Sequence, residues 1–377
     1  MITITVAGDI CPQNRVQPLI SSRRFSELFE SIHPFVMGSD LAMVNLECAI
    51  VMRVGYPIVK CGPNLSCDPI LVDSIKEAGF NVLTLANNHF RDYGGDAVVN
   101  SLNIISTKGL DHVGAGKNLT EASRPLVKEI KGYRIAIINC CESEFSIATD
   151  LDPGCNPLDP VDVSYAIKKA RSAADFVLLV VHSGVEFCQL PSPRMKHLFH
   201  FFIDQGADAI INHHQHCYSG YEVYNGKTIV YGLGNFCFDW EGKRKSSWNE
   251  GYIAKLFIKD DFSQQLAIFP YIQCDDTPGV HAMDEDSKQL FQSRLRYLNE
   301  TIADDNCLIK EFTRWIDANE RNTRMAISPY SGRIARALCS RGLIPAFLSK
   351  RRLVLLYNHI VCDSHRERLL RFIKKRI

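Results

Sequence analysis

Three histidines stand close together near the middle of the chain, directly after a short apolar run. His213, His214 and His216 follow the apolar residues 209–211. A strand that opens into a loop is a common place for metal ligands, because the strand fixes their positions and the loop leaves one side open. In an extended stretch His214 and His216 would point to the same face, and neutral imidazoles can share one divalent ion or serve two adjacent ions. A surface loop that is merely rich in histidine explains this cluster equally well, so the metal-site hypothesis depends on partners elsewhere.

Other apolar runs also end in side chains that can ligate a metal or form hydrogen bonds. The residues at these ends are Asp9, Asn45, Glu47, Asn87, Asn88, His89, His182 and Glu186. Taken alone, each has a simple alternative: a turn at Asp9, a helix cap at Asp92, or a satisfied core histidine at His182. Because the pattern recurs at four separate strand ends, it favours one shared site.

The elements that must position these residues alternate between strands and helices. Apolar and β-branched runs predict strands, and a period of 3.6 residues with capping residues predicts helices. The predicted strands are 2–9, 41–50, 80–86, 134–140, 175–187, 209–211, 252–258 and 266–273, with a hairpin over 221–232 that turns at Asn225 and Gly226. The predicted helices of this part are 25–33, 68–78, 95–107, 163–174 and 192–207. This alternation is typical of an α/β protein.

Composition limits the class of protein further. The chain has 377 residues and a formal net charge of +1, which suggests one large domain with an appendage or two domains. No apolar run approaches the roughly 20 residues of a membrane-spanning helix, and Met1 leads directly into a strand-like segment. We therefore expect a cytoplasmic protein. Its 14 cysteines lie mostly in apolar runs and are expected to be buried free thiols.

The C-terminal part differs in pattern and charge from the rest of the chain. From about residue 284 it becomes helical, with helices predicted near 285–300, 305–318, 331–339 and 364–375. We predict a domain boundary here, with one domain over 1–275 and a helical basic region over 284–377. Its arginines and lysines suggest an anionic partner, and an apolar face beside Lys350, Arg351 and Arg352 suggests peripheral association with the inner leaflet of a membrane or with a capsule synthase. A helical subdomain with a solvated basic face is the alternative. No nucleic-acid recognition motif is present.

Six motifs in a fixed order connect these observations to a known family. They are GD at 8–9, NLE at 45–47, ANNHxxDxG at 86–94, HxGxE at 182–186, HHxH at 213–216 and YGLGNFxFD at 231–239. In these motifs residues 4–240 resemble the capsule-synthesis CapA family of poly-γ-glutamate biosynthesis proteins, a branch of the calcineurin-like metallophosphoesterase superfamily. The resemblance implies a four-layer α/β/β/α sandwich of two mixed sheets between helices, with a metal site at the strand ends and a C-terminal helical extension outside the fold.

The resemblance also implies roles for individual residues. Glu47 stands where a carboxylate bridges two metal ions, His89 would act on the leaving oxygen, and Glu186 would orient His182. The implied ligands of one or two Mn, Fe or Zn ions are Asp9, Glu47, Asn88, His182, His214 and His216. The implied catalytic residues are His89, Asn88 and Glu186, and the implied substrate-binding residues are Asn45, Asn87, Asn235 and His213.

Some positions depart from the superfamily pattern. Cys11 stands where many members have a metal-binding histidine, and Asn212 replaces the glycine before His213. The sequence leaves open whether His213 or His214 is the ligand, and whether one metal or two are bound.

The function indicated is that of a metal-dependent hydrolase of phosphoester bonds in capsule, poly-γ-glutamate or exopolysaccharide biosynthesis. Two alternatives stay open: a γ-glutamyl or other amide hydrolase, and a non-catalytic component that binds an anionic polymer or a synthase. Substrate choice is expected in the loops 51–66 and 141–160.

Overall fold

The computed structural model describes residues 1–52, 56–330, 332–345 and 348–374. Strands and helices alternate along its first two thirds. The strands, in chain order, are β1 (Ile2–Ile10), β2 (Leu41–Leu46), β3 (Ala49–Ile50), β4 (Ser66–Cys67), β5 (Val82–Thr84), β6 (Asp111–Val113), β7 (Ala115–Gly116), β8 (Leu126–Ile130), β9 (Tyr133–Cys141), β10 (Gly154–Cys155), β11 (Phe176–His182), β12 (Ala209–His213), β13 (Tyr221–Tyr224), β14 (Lys227–Val230), β15 (Asn235–Cys237), β16 (Glu250–Ile258), β17 (Gln264–Gln273) and β18 (Val280–Ala282).

The helices flank these strands and then take over the C-terminal part. In chain order they are α1 (Val16–Ser21), α2 (Ser26–Phe29), α3 (His33–Val36), α4 (Ile70–Glu77), α5 (Gly94–Thr107), α6 (Leu119–Ala122), α7 (Pro160–Arg171), α8 (Pro193–Asp204), α9 (Glu285–Ala303), α10 (Asp305–Ala318), α11 (Glu320–Ala326), α12 (Arg333–Ser340), α13 (Lys350–Val361) and α14 (Asp363–Lys374). Short 3-10 turns cover Glu30–Ile32, Glu241–Lys243 and Ser247–Asn249.

Two mixed sheets form the centre of the fold. The first has the order β18-β17-β16-β1-β2-β5-β6, and β15 also pairs with β1. The second has the order β13-β14-β12-β11-β9-β8. The central strands β1, β2 and β5 are parallel to one another, as are β9, β11 and β12. Their carboxyl ends therefore lie together at one edge of each sheet, which is where open α/β sheets carry their sites.

The two sheets face each other, since β1 contacts β12, β6 contacts β9 and β14 contacts β17. Helices α7 and α8 cover the second sheet, and α5 contacts the edge strand β6 of the first sheet and β7, which pairs with β10 in a separate two-stranded sheet. A buried amide joins the two layers: Asn139 Oδ1 on β9 accepts hydrogen bonds from the backbone N–H groups of Leu85 and Ala86, at 3.0 and 2.8 Å. The predicted four-layer α/β/β/α arrangement is confirmed.

Local sequence explains why the covering helices begin where they do. Ser192 caps α8 by accepting a hydrogen bond from the N–H of Met195, with Pro193 as the first helical residue. Asp159 caps α7 in the same way before Pro160. Helix α7 therefore starts three residues earlier than the predicted 163, because the cap and the proline fix its first turn.

Three predicted elements are shorter than the apolar runs suggested. The predicted helix 25–33 is split into α2, a 3-10 turn and α3, and the predicted strand 41–50 breaks after Leu46 and resumes at Ala49. The predicted strand 175–187 ends at His182. Hydrophobicity continues past these breaks, but the chain turns there and backbone pairing stops.

The chain divides into two compact units, Met1–Phe312 and Thr313–Ile377. The boundary lies later than the predicted one at 275 to 284, because α9 packs on the first unit. Its Asn299 Oδ1 accepts from the N–H of Tyr221 at 2.8 Å, and its Phe291 ring lies 4.4 Å from that of Tyr218. The C-terminal helices were expected near 305–318, 331–339 and 364–375, and α10, α12 and α14 occupy these places. Residues 331 and 375 of these predictions lie outside the described part.

Within the described residues, none of the helices combines the length and the apolar run that crossing a bilayer requires. All 14 cysteines are free thiols, and 11 of them are buried. The prediction of buried thiols is therefore confirmed.

Candidate metal centre

The register of the strands gathers the predicted site residues into two facing rows. In the first sheet Asp9 on β1 pairs with Asn45 on β2 and with Asn235 on β15. In the second sheet His182 on β11 pairs with His213 on β12. Sequence-distant side chains thus meet because parallel strands place their ends at the same level.

A close backbone approach makes the first row possible. A Cβ atom on Gly8 would lie 1.8 Å from the carbonyl oxygen of Gly234, so only glycine fits there. Gly234 itself has a φ of +80°. The two glycines let β1 and β15 pair beside Asp9, which explains why the GD and LGN motifs occur together.

Glu47 is the centre of the site. Its side chain is fully buried, and neither carboxylate oxygen has a hydrogen-bond partner among the described residues. Oε1 lies 3.5 Å from His182 Nε2 and 3.6 Å from His216 Nε2. Burial raises the pKa of Glu47 well above its usual range, and the charge of Asp9 adds to the effect. A buried carboxylate without a donor is costly unless a cation compensates for it, so Glu47 fits a metal ligand.

Two groups of three side chains share this carboxylate. Glu47, His182 and His214 form one group, and Asp9, Glu47 and His216 form the other. Within each group the candidate ligand atoms lie within 4.8 Å of one another. The mixture of carboxylate oxygens and imidazole nitrogens suits Mn, Fe or Zn. The residues present therefore fit one or two divalent ions, and the position common to both groups is the one expected for a bridging ligand.

His214 and His216 reach the site by a different route from the one predicted. Strand β12 ends at His213, and His214 and His216 have φ angles of +94° and +56°. They lie in a turn, and strand alternation does not apply to them. Non-glycine residues in this left-handed region are strained, and such strain is common at functional sites. The turn brings His214 Nδ1 within 3.0 Å of His182 Nε2.

The structure separates His213 from His214. His213 does not belong to either group of three, and its Nδ1 lies 3.1 Å from Asp9 Oδ1. Burial pushes the pKa of Asp9 upward, but the hydrogen bond and charge of His213, the charge of His216 and a hydrogen bond from Asn45 outweigh burial and leave the pKa lowered. His213 therefore holds Asp9 as a carboxylate, and His214 is the candidate metal ligand of the two.

Two imidazoles of the site, those of His182 and His214, are kept in their neutral form. Burial lowers the pKa of His182 well below its usual range, and the neighbouring His214 adds to the effect. Burial, helped by the charge of His216, lowers the pKa of His214 to about 4. Neutral imidazole is the form that binds a metal ion, so the site does not need to release protons from these rings near neutral pH.

The amide groups of the three predicted substrate-binding asparagines form hydrogen bonds with other atoms of the protein. Asn45 Nδ2 donates to Asp9 Oδ1 at 2.8 Å, and Asn87 Nδ2 donates to the carbonyl oxygen of Leu46 at 2.8 Å. Asn235 Nδ2 donates to the carbonyl oxygens of His216 and Trp248. All three side chains are buried. Their observed contacts are those of residues that position the ligands.

Asn235 also fixes the orientation of the His216 ring. Because its amide nitrogen is occupied, its Oδ1 is the acceptor for His216 Nδ1 at 2.9 Å. His216 therefore carries its proton on Nδ1 and presents the lone pair of Nε2 towards Glu47. Such an outer hydrogen bond is the usual support of a metal-binding histidine.

Asn88 and His89 lie at the open side of the centre. Asn88 Oδ1 is 3.2 Å from His182 Nε2, so its amide oxygen faces the first group of ligands. His89 Nδ1 lies 2.7 Å from Asp92 Oδ2. Burial lowers the pKa of His89, although Asp92 opposes the effect. Asp92, which the sequence also explains as a helix cap, instead holds the His89 ring.

Lys60 is a site residue that sequence reasoning missed. Its side chain is only 2% exposed, and Nζ lies 2.5 Å from Asp92 Oδ1 and 2.9 Å from His89 Nδ1. The lysine comes from the loop 51–66, whose residues 53–55 lie outside the described part. Nothing in the local sequence marks it, because a lysine in a loop is ordinarily solvated.

The acidic residues near the site are arranged differently from the prediction. Glu186 was expected to orient His182, but β11 ends at His182 and Glu186 is exposed in the following loop. The Nδ1 atom of His182 instead faces Asn45 Nδ2 at 3.4 Å. Glu144, which was not predicted, has Oε1 3.9 Å from His214 Nε2 and Oε2 3.5 Å from Asn88 Nδ2. The strand-end pattern could have found Glu144, since it lies three residues after the end of β9.

A pocket of about 170 Å³ opens beside the metal centre. Its polar members are His89, His216, Glu186 and Lys243, and its remaining walls are mostly aromatic. The aromatic and apolar wall residues are Phe187, Phe238, Trp240, Trp248, Pro63 and Leu65. The Trp248 ring lies 4.8 Å from the His216 ring, and Lys243 Nζ lies 3.7 Å from the centre of the Phe187 ring. A group bound next to the candidate metal site would therefore meet apolar walls, two imidazoles, the Glu186 carboxylate and Lys243.

Cys11, at the position of the superfamily histidine, does not join either ligand group. Its Sγ accepts a hydrogen bond from Gln13 Nε2 at 3.3 Å, and its thiol lies within hydrogen-bonding reach of the Cys48 thiol. Burial raises the pKa of Cys48 well above its usual range, and hydrogen bonds with the neighbouring thiols of Cys11 and Cys67 add to the effect. The Asp9 group thus offers three protein ligands.

Two facing sheets with buried imidazoles and carboxylates at their strand ends define an α/β/β/α sandwich protein with a candidate metal site. The chain belongs to the family described as bacterial capsule synthesis protein PGA_cap, whose model matches residues 3–240. This confirms the resemblance carried by the six motifs.

Named relatives agree with the family. The chain is 30% identical over 279 residues to the capsule biosynthesis protein CapA of Bacillus anthracis, covering 71% of this chain and 67% of that protein. It is 30% identical over 260 residues to the PGA biosynthesis protein CapA of Bacillus subtilis (strain 168), covering 68% of each. Similarity to solved structures is weaker. A phosphatase from Mycoplasma pneumoniae matches with a TM-score of 0.47 at 15% identity, over 73% of this chain and 95% of that chain.

Proposed function

We propose that this chain is a metal-dependent hydrolase of the phosphoesterase type that acts in the synthesis of capsule or poly-γ-glutamate. The biosynthetic role is supported by the family and by relatives named for capsule and PGA biosynthesis. The hydrolytic role rests on one observation above all: the Glu47 carboxylate is buried without a hydrogen-bond donor among the described residues, and both groups of candidate ligands share it.

The residues that would hold the metals are Asp9, Glu47, Asn88, His182, His214 and His216. A divalent ion bound by them would supply Lewis-acid polarisation and activation of water for hydrolysis. The protein holds these ligand side chains in the orientation and protonation state that metal binding requires. Asn235 fixes the tautomer of His216, His213 holds Asp9 ionised, and the turn at His214 sets the two rings against Glu47.

His89 is the candidate for the proton-donating or hydrogen-bonding role at the leaving oxygen. It lines the pocket beside the centre, and Asp92 and Lys60 hold its Nδ1 side. Its Nε2 is then the atom available to substrate. The apolar walls formed by Phe187, Phe238 and Trp248 exclude water from the leaving group, which strengthens each electrostatic contact in the site.

The first test is the metal content of the purified protein by elemental analysis, for wild type and for His216→Ala. A matched control is His281→Ala, which removes an imidazole outside the site. We expect wild type to hold one or two transition-metal ions per chain, the control to match it, and His216→Ala to lose metal. If wild type binds no metal even when Mn or Zn is supplied, the hydrolase assignment is wrong and the polymer- or synthase-binding alternative replaces it.

The second test is turnover with added Mn on a phosphomonoester, a phosphodiester and a γ-glutamyl peptide. The proposal expects hydrolysis of a phosphoester that His216→Ala lowers and His281→Ala does not. Hydrolysis of the γ-glutamyl peptide alone would instead identify an amide hydrolase built on the same metal centre.

A further inference from the structure

The C-terminal unit has a charge opposite to that of the rest of the chain. Residues 313–377 contain 15 lysines and arginines against 4 acidic residues, a formal net charge of +11. Residues 1–312 contain 28 basic and 38 acidic residues, a formal net charge of −10. The overall charge of +1 therefore hides two strongly charged parts of opposite sign.

Helix α13 exposes an apolar stripe to solvent. Leu353, Val354, Tyr357, Ile360 and Val361 follow the spacing of one helical face. They are 43%, 61%, 67%, 60% and 56% exposed. No residue of α13 is buried. A surface helix ordinarily turns such a stripe towards the core, so this face is suited to an apolar environment outside the chain.

Helix α14 packs against α13, and Asn358 Nδ2 lies 3.1 Å from His365 Nδ1 across the pair. We call residues 350–374 the basic hairpin. Its second helix exposes Leu369 and Leu370, 37% and 48%, and Arg366, Arg368 and Arg371 are exposed on the same helix. Arg366 and Arg371 form ion pairs with the two acidic residues of this helix, Asp363 and Glu367. Helix α14 thus exposes apolar and cationic side chains together.

We propose that the basic hairpin is a docking surface for an anionic lipid bilayer. Amphipathic helices with aliphatic residues on one face and arginines beside them bind at the boundary between head groups and acyl chains. Arginines near the surface attract anionic head groups. A soluble polyanion would satisfy the arginines but leave the stripe of Val354, Tyr357 and Val361 in water, so the apolar exposure favours lipid over polymer.

The test is cosedimentation of the full-length protein with vesicles of phosphatidylcholine alone, or of phosphatidylcholine with 30 mol% phosphatidylglycerol, compared with binding of soluble poly-glutamate. The test variant carries Val354→Ser and Val361→Ser, which remove apolar surface without changing charge. The control is Val223→Ser, a 67% exposed valine in the first unit. Circular dichroism confirms that each variant keeps its helices.

We expect wild type and the Val223→Ser control to bind the anionic vesicles and not the neutral ones, with weaker binding as salt is raised. The double variant should bind the anionic vesicles about tenfold more weakly, with its poly-glutamate binding unchanged. Binding of poly-glutamate without any binding of vesicles would overturn the proposal in favour of an anionic polymer. Binding of neither, with a concentration-dependent dimer in light scattering, would overturn it in favour of a second copy of the chain.

Discussion

The two compact units of this protein differ in which side chains they bury and which they expose. In the unit 1–312, apolar strands and helices enclose a centre where titratable groups such as Asp9, Glu47 and His182 are almost completely buried. In the unit 313–377, α13 and α14 bury no residue and leave valines and leucines beside arginines in solvent. The first unit encloses a candidate metal site of low dielectric constant, and the second exposes a surface of apolar and cationic side chains. We infer that one unit acts on substrate and the other determines where the protein is held.

The largest effect is expected from Glu47→Gln, which keeps the shape of the side chain and removes its charge. Phosphoester kcat/KM should fall by on the order of 1,000-fold, because the ligand shared by both groups is lost. Addition of Mn should raise the melting temperature of wild type and leave that of the variant unchanged. Vesicle binding should be unaffected. Loss of vesicle binding together with activity would show that the two units do not act separately.

The next effect concerns acid stability of the metal-free protein, measured by urea unfolding in the presence of a chelator. Burial lowers the pKa of His214 from 6.5 to about 4, so the unfolded state binds its proton first as pH falls. The contribution of His214 is complete above pH 6.5 and is lost between 6.5 and 4, by up to about 3 kcal/mol.

In His214→Gln the fall in unfolding free energy over this pH range should therefore be smaller than in wild type. The raised pKa of Glu47 acts in the opposite direction as pH rises above 4.5, but it is present in both proteins and cancels in the comparison. His281→Gln is the matched control. Parallel pH profiles for wild type and His214→Gln would refute the buried, neutral imidazole.

A pair of variants separates the two adjacent histidines. His214→Gln should weaken Mn affinity by roughly 100-fold, since His214 lies in a ligand group, and His213→Gln by about 10-fold, since it acts through Asp9. Isothermal titration of Mn into the metal-free proteins measures both. The opposite ranking would identify His213 as the ligand.

A smaller effect is expected at Lys60. Lys60→Met should lower kcat by about tenfold with little change in Mn affinity, because the lysine holds Asp92 and His89 and contacts no candidate metal ligand. Lys128→Met removes a lysine from a surface ion pair and serves as the control. Equal losses in the two variants would show that the buried lysine has no special role.

The smallest effect is expected at a single arginine of the basic hairpin. Arg351→Gln should weaken binding to anionic vesicles by about fivefold, the value of roughly 1 kcal/mol per cationic residue, and leave kcat/KM unchanged. Arg124→Gln, an exposed arginine in the first unit, is the control. A change in kcat/KM for Arg351→Gln would show that the two units do not act independently.

Much of the fold follows from the sequence because hydrophobic period and capping residues act locally. The strands β1, β9 and β17 and the helices α5 and α8 lie close to their predicted ranges. The motifs that contain Asp9, Glu47, His89, His182 and His216 also identified side chains that lie at or beside the centre, since buried polar residues at strand ends are rarely accidental. Charge segregation in the C-terminal part was equally visible in the sequence.

Tertiary structure alone decided how these side chains are used. Strand alternation could not predict the left-handed turn that orients His214 and His216. It also could not predict that the side chains of Asn45, Asn87 and Asn235 form hydrogen bonds within the protein. It also could not find Lys60, whose burial depends on a loop closing over Asp92. Sequence patterns report which residues a local element can bury, whereas partners across two facing sheets are set by register and by loop closure, which couple residues far apart in the chain.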